Sequence, residues 1–141
     1  MDRRFTVRVV RLATLIIGLA LAPWVWARGV APTAAECRAH PVNPVIRGGC
    51  IVIDRKTGNC VACHVIPGTH MDGNIGPSFA HFRRLFPDRR IVHAQTIKRA
   101  IFNQIYDPAV LNPHTAMPPF GKNDILTKTE IREVVDFLWT L

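Results

Sequence analysis

One short stretch constrains this chain more than any other: Gly58-Asn59-Cys60-Val61-Ala62-Cys63-His64. Two thiols separated by two residues can each bond one vinyl-derived carbon of a single haem, and the histidine that follows is then carried beneath the iron. Cys60 and Cys63 are therefore the candidate anchors, and His64 is the candidate axial ligand. A zinc site using all four cysteines is a weaker reading. A Cys-x-x-Cys knuckle needs a matching second knuckle, and Cys37 and Cys50, with twelve residues between them, are too far apart to form one. A thioredoxin-like role for the two thiols lacks the βαβ pattern that would support it.

The residues that precede the motif read as delivery. Arg3, Arg4, Arg8 and Arg11 form a positive leader, residues 12–25 are nearly all apolar and carry no charge, and Val25-Trp26-Ala27 supplies small residues at the −3 and −1 positions of a cleavage site. That is the order of a secretory signal peptide over residues 1–27, with cleavage near Ala27. The apolar run is short for a spanning helix, which takes about 20 residues, so no stable membrane anchor is expected after processing; a retained anchor is the alternative. Removing it leaves 114 residues with 14 Lys and Arg against 9 Asp and Glu, enough for one small basic domain with a thin core. Export to the periplasm places all four cysteines where disulfides persist. A Cys37–Cys50 disulfide, two free buried thiols and the zinc site are the possibilities; the disulfide would stabilise by about 3 kcal/mol on the loop-closure model.

Residues 28–43 are rich in Ala and Pro without a period and are expected to form an irregular extension draped over a domain of residues 44–141. Asn43-Pro44 predicts a helix start, Asn as N-cap and Pro at the first position, and the helix is expected to run to about Lys56 and end at Gly58. Gly48-Gly49 inside it points to a close approach by another element. A loop through Pro67, Gly68, Gly73, Gly76 and Pro77 follows, then a mixed apolar and basic segment. A second helix is expected from Val92 or Ala94, with Ile97, Ile101 and Ile105 repeating, and Asp107-Pro108 ending it. Paired prolines keep Met117-Pro118-Pro119-Phe120-Gly121 out of a helix. Thr127 and Glu130 form a capping box for a last helix whose apolar face is Ile131, Val134, Val135 and Leu138, widened by Phe137, Trp139 and Leu141. No segment alternates with period two, so the chain reads as all-α with long loops and no substantial sheet.

An iron held by His64 has a sixth position, open to a methionine, a second histidine, or water. Of the methionines beyond the leader, Met71 is seven residues from His64, too close to reach the opposite face, whereas Met117 is 53 residues downstream in a loop stiffened by two prolines. Met117 is the candidate, and His114 the histidine to test against it. His40, His70, His81 and His93 lack a comparable loop context. A His/Met pair raises the reduction potential and fills both axial positions, which points to electron transfer and leaves no catalytic residue in this chain. An open site, as in a haem enzyme or gas sensor, requires Met117 not to ligate.

Taken together, the haem motif, Gly76-Pro77, Asn112-Pro113, the Met-Pro-Pro-Phe-Gly loop and the closing helix resemble the class I monohaem cytochromes c. With Ile53-Asp54-Arg55-Lys56 before the motif, they are most similar to the SoxX family of small cytochrome subunits. The resemblance implies a class I cytochrome c fold around one covalent haem c, Cys60 and Cys63 as thioether anchors, and His64 and Met117 as axial ligands. It implies that the Pro77 carbonyl accepts the His64 ring N–H, and that the first and last helices cross with Gly48 or Gly49 facing Phe137. It also implies partners: a SoxA-like cytochrome subunit that carries the catalytic site of a thiosulfotransferase, the SoxYZ carrier, and a downstream electron acceptor. A free-standing periplasmic electron carrier is the alternative. Arg83, Arg84, Arg89, Arg90, Lys98 and Arg99 form a basic stretch that reads either as a docking patch for an acidic partner or as an ordinary solvated face. Nucleic acid is not an expected partner for an exported chain.

Overall fold

A computed structural model describes residues 29–39, 41–70, 73–80, 82–86 and 91–141, without the side chains of 83, 91 and 92. The expected signal segment, His40, Met71, His81, Arg89, Arg90 and the Arg83 side chain lie outside the described residues. Five α-helices follow in order: α1 (Ala34–Arg38), α2 (Pro44–Ile53), α3 (Phe82–Leu85), α4 (Ile91–Tyr106) and α5 (Lys128–Leu138). Two 3-10 turns, Cys60–Ala62 and Pro108–Val110, sit between them. There is no strand among the described residues, and no helix among them is long and apolar enough to cross a membrane.

The two best local signals produce the two helices that cross. Asn43 caps α2 by accepting the Val45 N–H at 2.9 Å, with Pro44 at the first position. Thr127 and Glu130 cap α5 reciprocally, Glu130 N–H to the Thr127 hydroxyl at 3.2 Å and Thr127 N–H to the Glu130 carboxylate at 2.7 Å. The glycine pair sits at the crossing. A Cβ on Gly48 would collide with the Glu133 carbonyl of α5, and one on Gly49 would lie 3.0 Å from the Phe137 ring while also striking Pro32. The close approach expected of the pair is therefore real, and it is Gly49 that faces Phe137. Val52, Ile131 and Val134 are enclosed at the crossing. The buried Glu133 carboxylate is held by Arg47, whose Nε donates at 3.0 Å, and that hydrogen bond raises the guanidinium's already high pKa.

α2 stops at Ile53, three residues short of the expected Lys56. Asp54 leaves the helical region, and its carboxylate accepts the Lys56 N–H and the Thr57 hydroxyl, each at 3.0 Å. This local turn competes with another helical turn. Gly58 does not act as the helix stop; it lets the backbone pass against the Ile51 carbonyl. The left-handed residue is Asn59, at φ 48°, a conformation asparagine tolerates better than most residues.

The extension before α2 contains one helix that was not expected. Thr33 and Glu36 form a capping box that starts α1. Cys37 on α1 and Cys50 on α2 are joined by a disulfide with Cα atoms 5.6 Å apart, which fixes α1 to the crossing. The segment before α1 does lie across the domain: Ala31 is buried and its N–H donates to the Pro67 carbonyl at 2.7 Å. α3, also unanticipated, is one turn long and brings Phe82 into the core. Phe79, Phe82, Phe86 and Trp139 then form a run of ring contacts leading to the end of α5. α4 covers the expected residues, with Ile105 buried and Ile101 packed on the core.

Candidate functional site

Asn59 in its left-handed conformation turns the chain into the 3-10 segment of Cys60, and the Cys60 carbonyl then accepts both the Cys63 N–H at 3.1 Å and the His64 N–H at 2.9 Å. That tight turn presents two free thiols, both half-buried, beside the imidazole. Burial pushes the Cys60 thiol up to about 11, so it is protonated at neutral pH and a poor nucleophile in the folded chain. This is unlike the activated thiol of a dithiol redox enzyme. The four-cysteine zinc reading fails on simpler ground. Cys37 and Cys50 are committed to a disulfide, and no group of three His, Cys, Asp or Glu able to hold a metal ion occurs among the described residues.

His64 is held from three sides. Its Nδ1 lies 2.8 Å from the Pro77 carbonyl oxygen. A carbonyl can only accept, so the ring proton is on Nδ1 and the Nε2 lone pair is available to a metal. Gly76 lies flat against the imidazole, where any side chain would collide with the ring. Phe79 stacks on His64 with centroids 4.6 Å apart and planes 14° apart. The loop that brings these residues in is tied to the motif by its backbone: the Ile75 and Gly76 N–H groups donate to the Cys63 carbonyl at 3.2 and 2.8 Å, and the Phe79 N–H to Val65 at 2.9 Å. Gly73 packs against the Cys63–His64 peptide. The contact from Pro77 is the one the resemblance implies; the residues by themselves read this region only as a loop. The functional use of Gly73, Gly76 and Phe79 appears once the chain folds back, and the Gly-Pro pair at 76–77 is its one local trace.

Met117 is placed by a second anchored loop. The Thr115 hydroxyl accepts the Met117 N–H at 3.1 Å, and Phe120 is buried beyond the two prolines. The Gly121 and Lys122 N–H groups both donate to the Tyr106 carbonyl, at 3.2 and 3.0 Å, and Gly121 lies against the Tyr106 ring where a Cβ would collide. The loop is thus pinned to the end of α4. The Met117 side chain packs on the hydrophobic core, and its sulfur accepts a hydrogen bond from Gln104 of α4 at 3.9 Å. His114, the rival ligand, is exposed, as are His70 and His93.

These residues fit a covalently held haem. Two free thiols at the attachment spacing, an imidazole with one nitrogen engaged and one available, and a thioether on a fixed loop are the required donors. The core they adjoin is apolar: Val61, Ile66 and Phe82 are buried, and Phe79, Ile101 and Met117 are half-buried against it. The expected basic stretch is partly neutralised. Lys98 pairs with Asp136 of α5 at 2.8 Å and lies over the Trp139 ring, whereas Arg84 and Arg99 are exposed.

The family model described as cytochrome c matches residues 55–141 of this chain. The chain is also similar to a protein of Aquifex aeolicus (strain VF5) described as an uncharacterized lipoprotein. The two are 33% identical over 84 residues, which is 59% of this chain and 36% of that protein. The match therefore spans about a third of the relative's length.

Proposed function

Because this chain belongs to the cytochrome c family, we propose that it is an exported electron-transfer protein with one covalent haem c, acting as the SoxX-like subunit of a thiosulfate-oxidising complex. Cys60 and Cys63 would hold the haem by thioether bonds, His64 and Met117 would ligate its iron, and the Pro77 carbonyl orients His64. Bound there, haem supplies a one-electron couple. The observation that carries the reading is the His64 setting: Nδ1 engaged by Pro77 at 2.8 Å, ring clamped by Gly76 and Phe79, Nε2 left for iron.

The roles of the chain's own residues follow from this. The Nδ1 hydrogen bond fixes the tautomer and makes the imidazole a stronger donor. The 117–121 loop, held by Tyr106 and stiffened by prolines, presents a thioether with little freedom to lose. With His64 and Met117 both on the iron the group would supply electron transfer only, and the reacting sulfur would belong on a SoxA-like partner. This chain accepts the electrons released when thiosulfate is coupled to the SoxYZ carrier, and passes them to a downstream acceptor.

Residues 1–27 act as the signal peptide, residues 28–43 as the extension and residues 44–141 as the haem domain, in the periplasm. The description of the Aquifex relative as a lipoprotein, together with a disulfide that persists in an oxidising compartment, supports export. Thiosulfate-dependent reduction of this haem, measured with purified SoxA-like and SoxYZ components, tests the role. Reduction that needs both components supports it. Full thiosulfate oxidation without this chain, in extracts lacking any substitute cytochrome, rejects it and leaves the free-standing carrier.

A further inference from the structure

α4 and α5 leave an open groove of about 450 Å³ between them. Its floor is Phe102 and Val135, and charged side chains of both helices form its rim. Ile101 packs on the core, and Arg99 and Asn103 are each two residues from it, so both stand about 160° around the helix from the core side. The groove therefore opens on the side of α4 turned away from Gln104 and Met117. The rim charges are unequally matched. Lys98 is engaged by Asp136 at 2.8 Å and lies over the Trp139 ring. Arg99 and Arg132 are exposed and have no carboxylate partner among the described residues. The Arg132 guanidinium lies over the Phe102 ring, 6.0 Å from its centroid. A guanidinium held over a ring keeps N–H groups at its edge free to meet a carboxylate. Phe102 is itself fixed by stacking on Tyr106, with centroids 5.9 Å and planes 14° apart.

We infer that this groove is a docking site for a short acidic segment of a partner protein, on a face apart from the candidate haem site. The segment seats a carboxylate on Arg99 and Arg132 and a neighbouring apolar side chain on Phe102 and Val135, while Asn103 offers its amide to the segment's backbone. Two unpaired guanidiniums set the sign of the occupant. The aromatic floor asks for an apolar group beside the charge, which a bare inorganic anion lacks. Asp136 already holds Lys98 and repels an acid at that end, so the acid is left to the two arginines. From Lys98 to Asn103 the helix rises about 7.5 Å, the reach of two or three residues of extended chain, so the segment is short. A plane of anionic headgroups calls for a broader cluster, of about four to eight cations without an interposed carboxylate. Docking here holds a partner without covering the face that presents Met117.

The experiment uses the isotope-labelled, reduced holoprotein and, as probe, a short blocked peptide of alternating leucine and glutamate, followed by amide NMR. Signals of residues 98–103 and 132–136 should move on titration, and binding should weaken as salt rises. Arg99→Gln with Arg132→Gln should weaken binding about tenfold, the worth of two exposed charge pairs. Arg38→Gln with Lys56→Gln removes the same charge from exposed sites elsewhere and should weaken it less than about twofold. Where the first double variant does not fold, Arg99→Lys with Arg132→Lys, which keeps the charge and loses the planar fork, decides in its place by a loss of about threefold. Equal binding of a peptide with glutamine for glutamate, equal losses in the two glutamine double variants, or shifts confined to residues 75–79 and 115–121 overturn the inference. So does a preference for sulfate or for phosphatidylglycerol vesicles over the peptide, which assigns the groove to an inorganic anion or a membrane surface. The weak red methionine–iron band of the oxidised protein should stay in place with peptide bound; a displaced band puts the peptide at the haem and overturns the inference as well.

Discussion

At the α2–α5 crossing, protein packs directly on protein. Gly48 brings one helix backbone against the other, Val52 and Ile131 are fully enclosed, and the buried Glu133 is matched by Arg47. Around Cys60, Phe79, Ile101 and Met117 the same core is only half covered, and its order comes from individual hydrogen bonds: Pro77 on His64, Thr115 on Met117, Tyr106 on the 121–122 backbone. The crossing is a stability device with no donor atoms left to use. The second region keeps its chemically useful atoms accessible and accepts weaker closure in return. Substitutions in the first region should therefore change stability and leave the haem spectrum alone, and those in the second should do the reverse.

The sharpest way to break the first region is at its closest contact. Gly48→Val places a side chain on the Glu133 carbonyl, where backbone cannot give way, and should destabilise by about 3 kcal/mol or more in chemical denaturation. Gly49→Ala meets side chains of Pro32 and Phe137 that can shift, and should cost about 1 kcal/mol. Equal losses at the two positions would contradict the distinction between backbone and side-chain contact.

Replacing Cys37 and Cys50 together with serine tests the staple that joins the extension to α2. Loss of about 3 kcal/mol is expected on the loop-closure model, with the red band and the potential unchanged. A shifted potential would show that the two regions are coupled through α2.

The smallest effect lies at Asp54, on the boundary between the regions. The Lys56 N–H, and next the Thr57 hydroxyl, hold its carboxyl below the ordinary range. The folded-state pKa is lowered, so the stabilisation is present above the ordinary carboxylate pKa and is lost as pH falls through the lowered value. The group is exposed, so the effect is small. Asp54→Asn should flatten that part of the acid limb of a stability–pH profile, and an unchanged limb would remove Asp54 from the account.

What could be read from the sequence was what local chemistry decides. Asn43-Pro44 and Thr127-Glu130 each fix a helix start within four residues, and both starts are where expected. The same rule applied at Thr33-Glu36 would have found α1, but five residues are too few to show a period. The early stop of α2 depends on an aspartate turning its side chain to its own backbone, which competes with the helix over the same residues. Gly48-Gly49 signalled a close approach, yet nothing local names Glu133 as the neighbour. Of the contacts that orient the candidate site, Pro77 on His64 came only through the family resemblance, and the others were the least legible. Gly76 on His64 and Gln104 on Met117 join residues more than ten apart, and each looks ordinary until the chain has folded.

The central claim is that Cys60 and Cys63 hold one haem covalently. Intact mass of the purified protein, taken after acid-acetone extraction strips any unbonded haem, tests it directly. The account predicts the mass of a chain beginning near Arg28 plus one haem, and its loss when both cysteines are replaced by alanine. The mass of the bare polypeptide in the unmutated protein would contradict it.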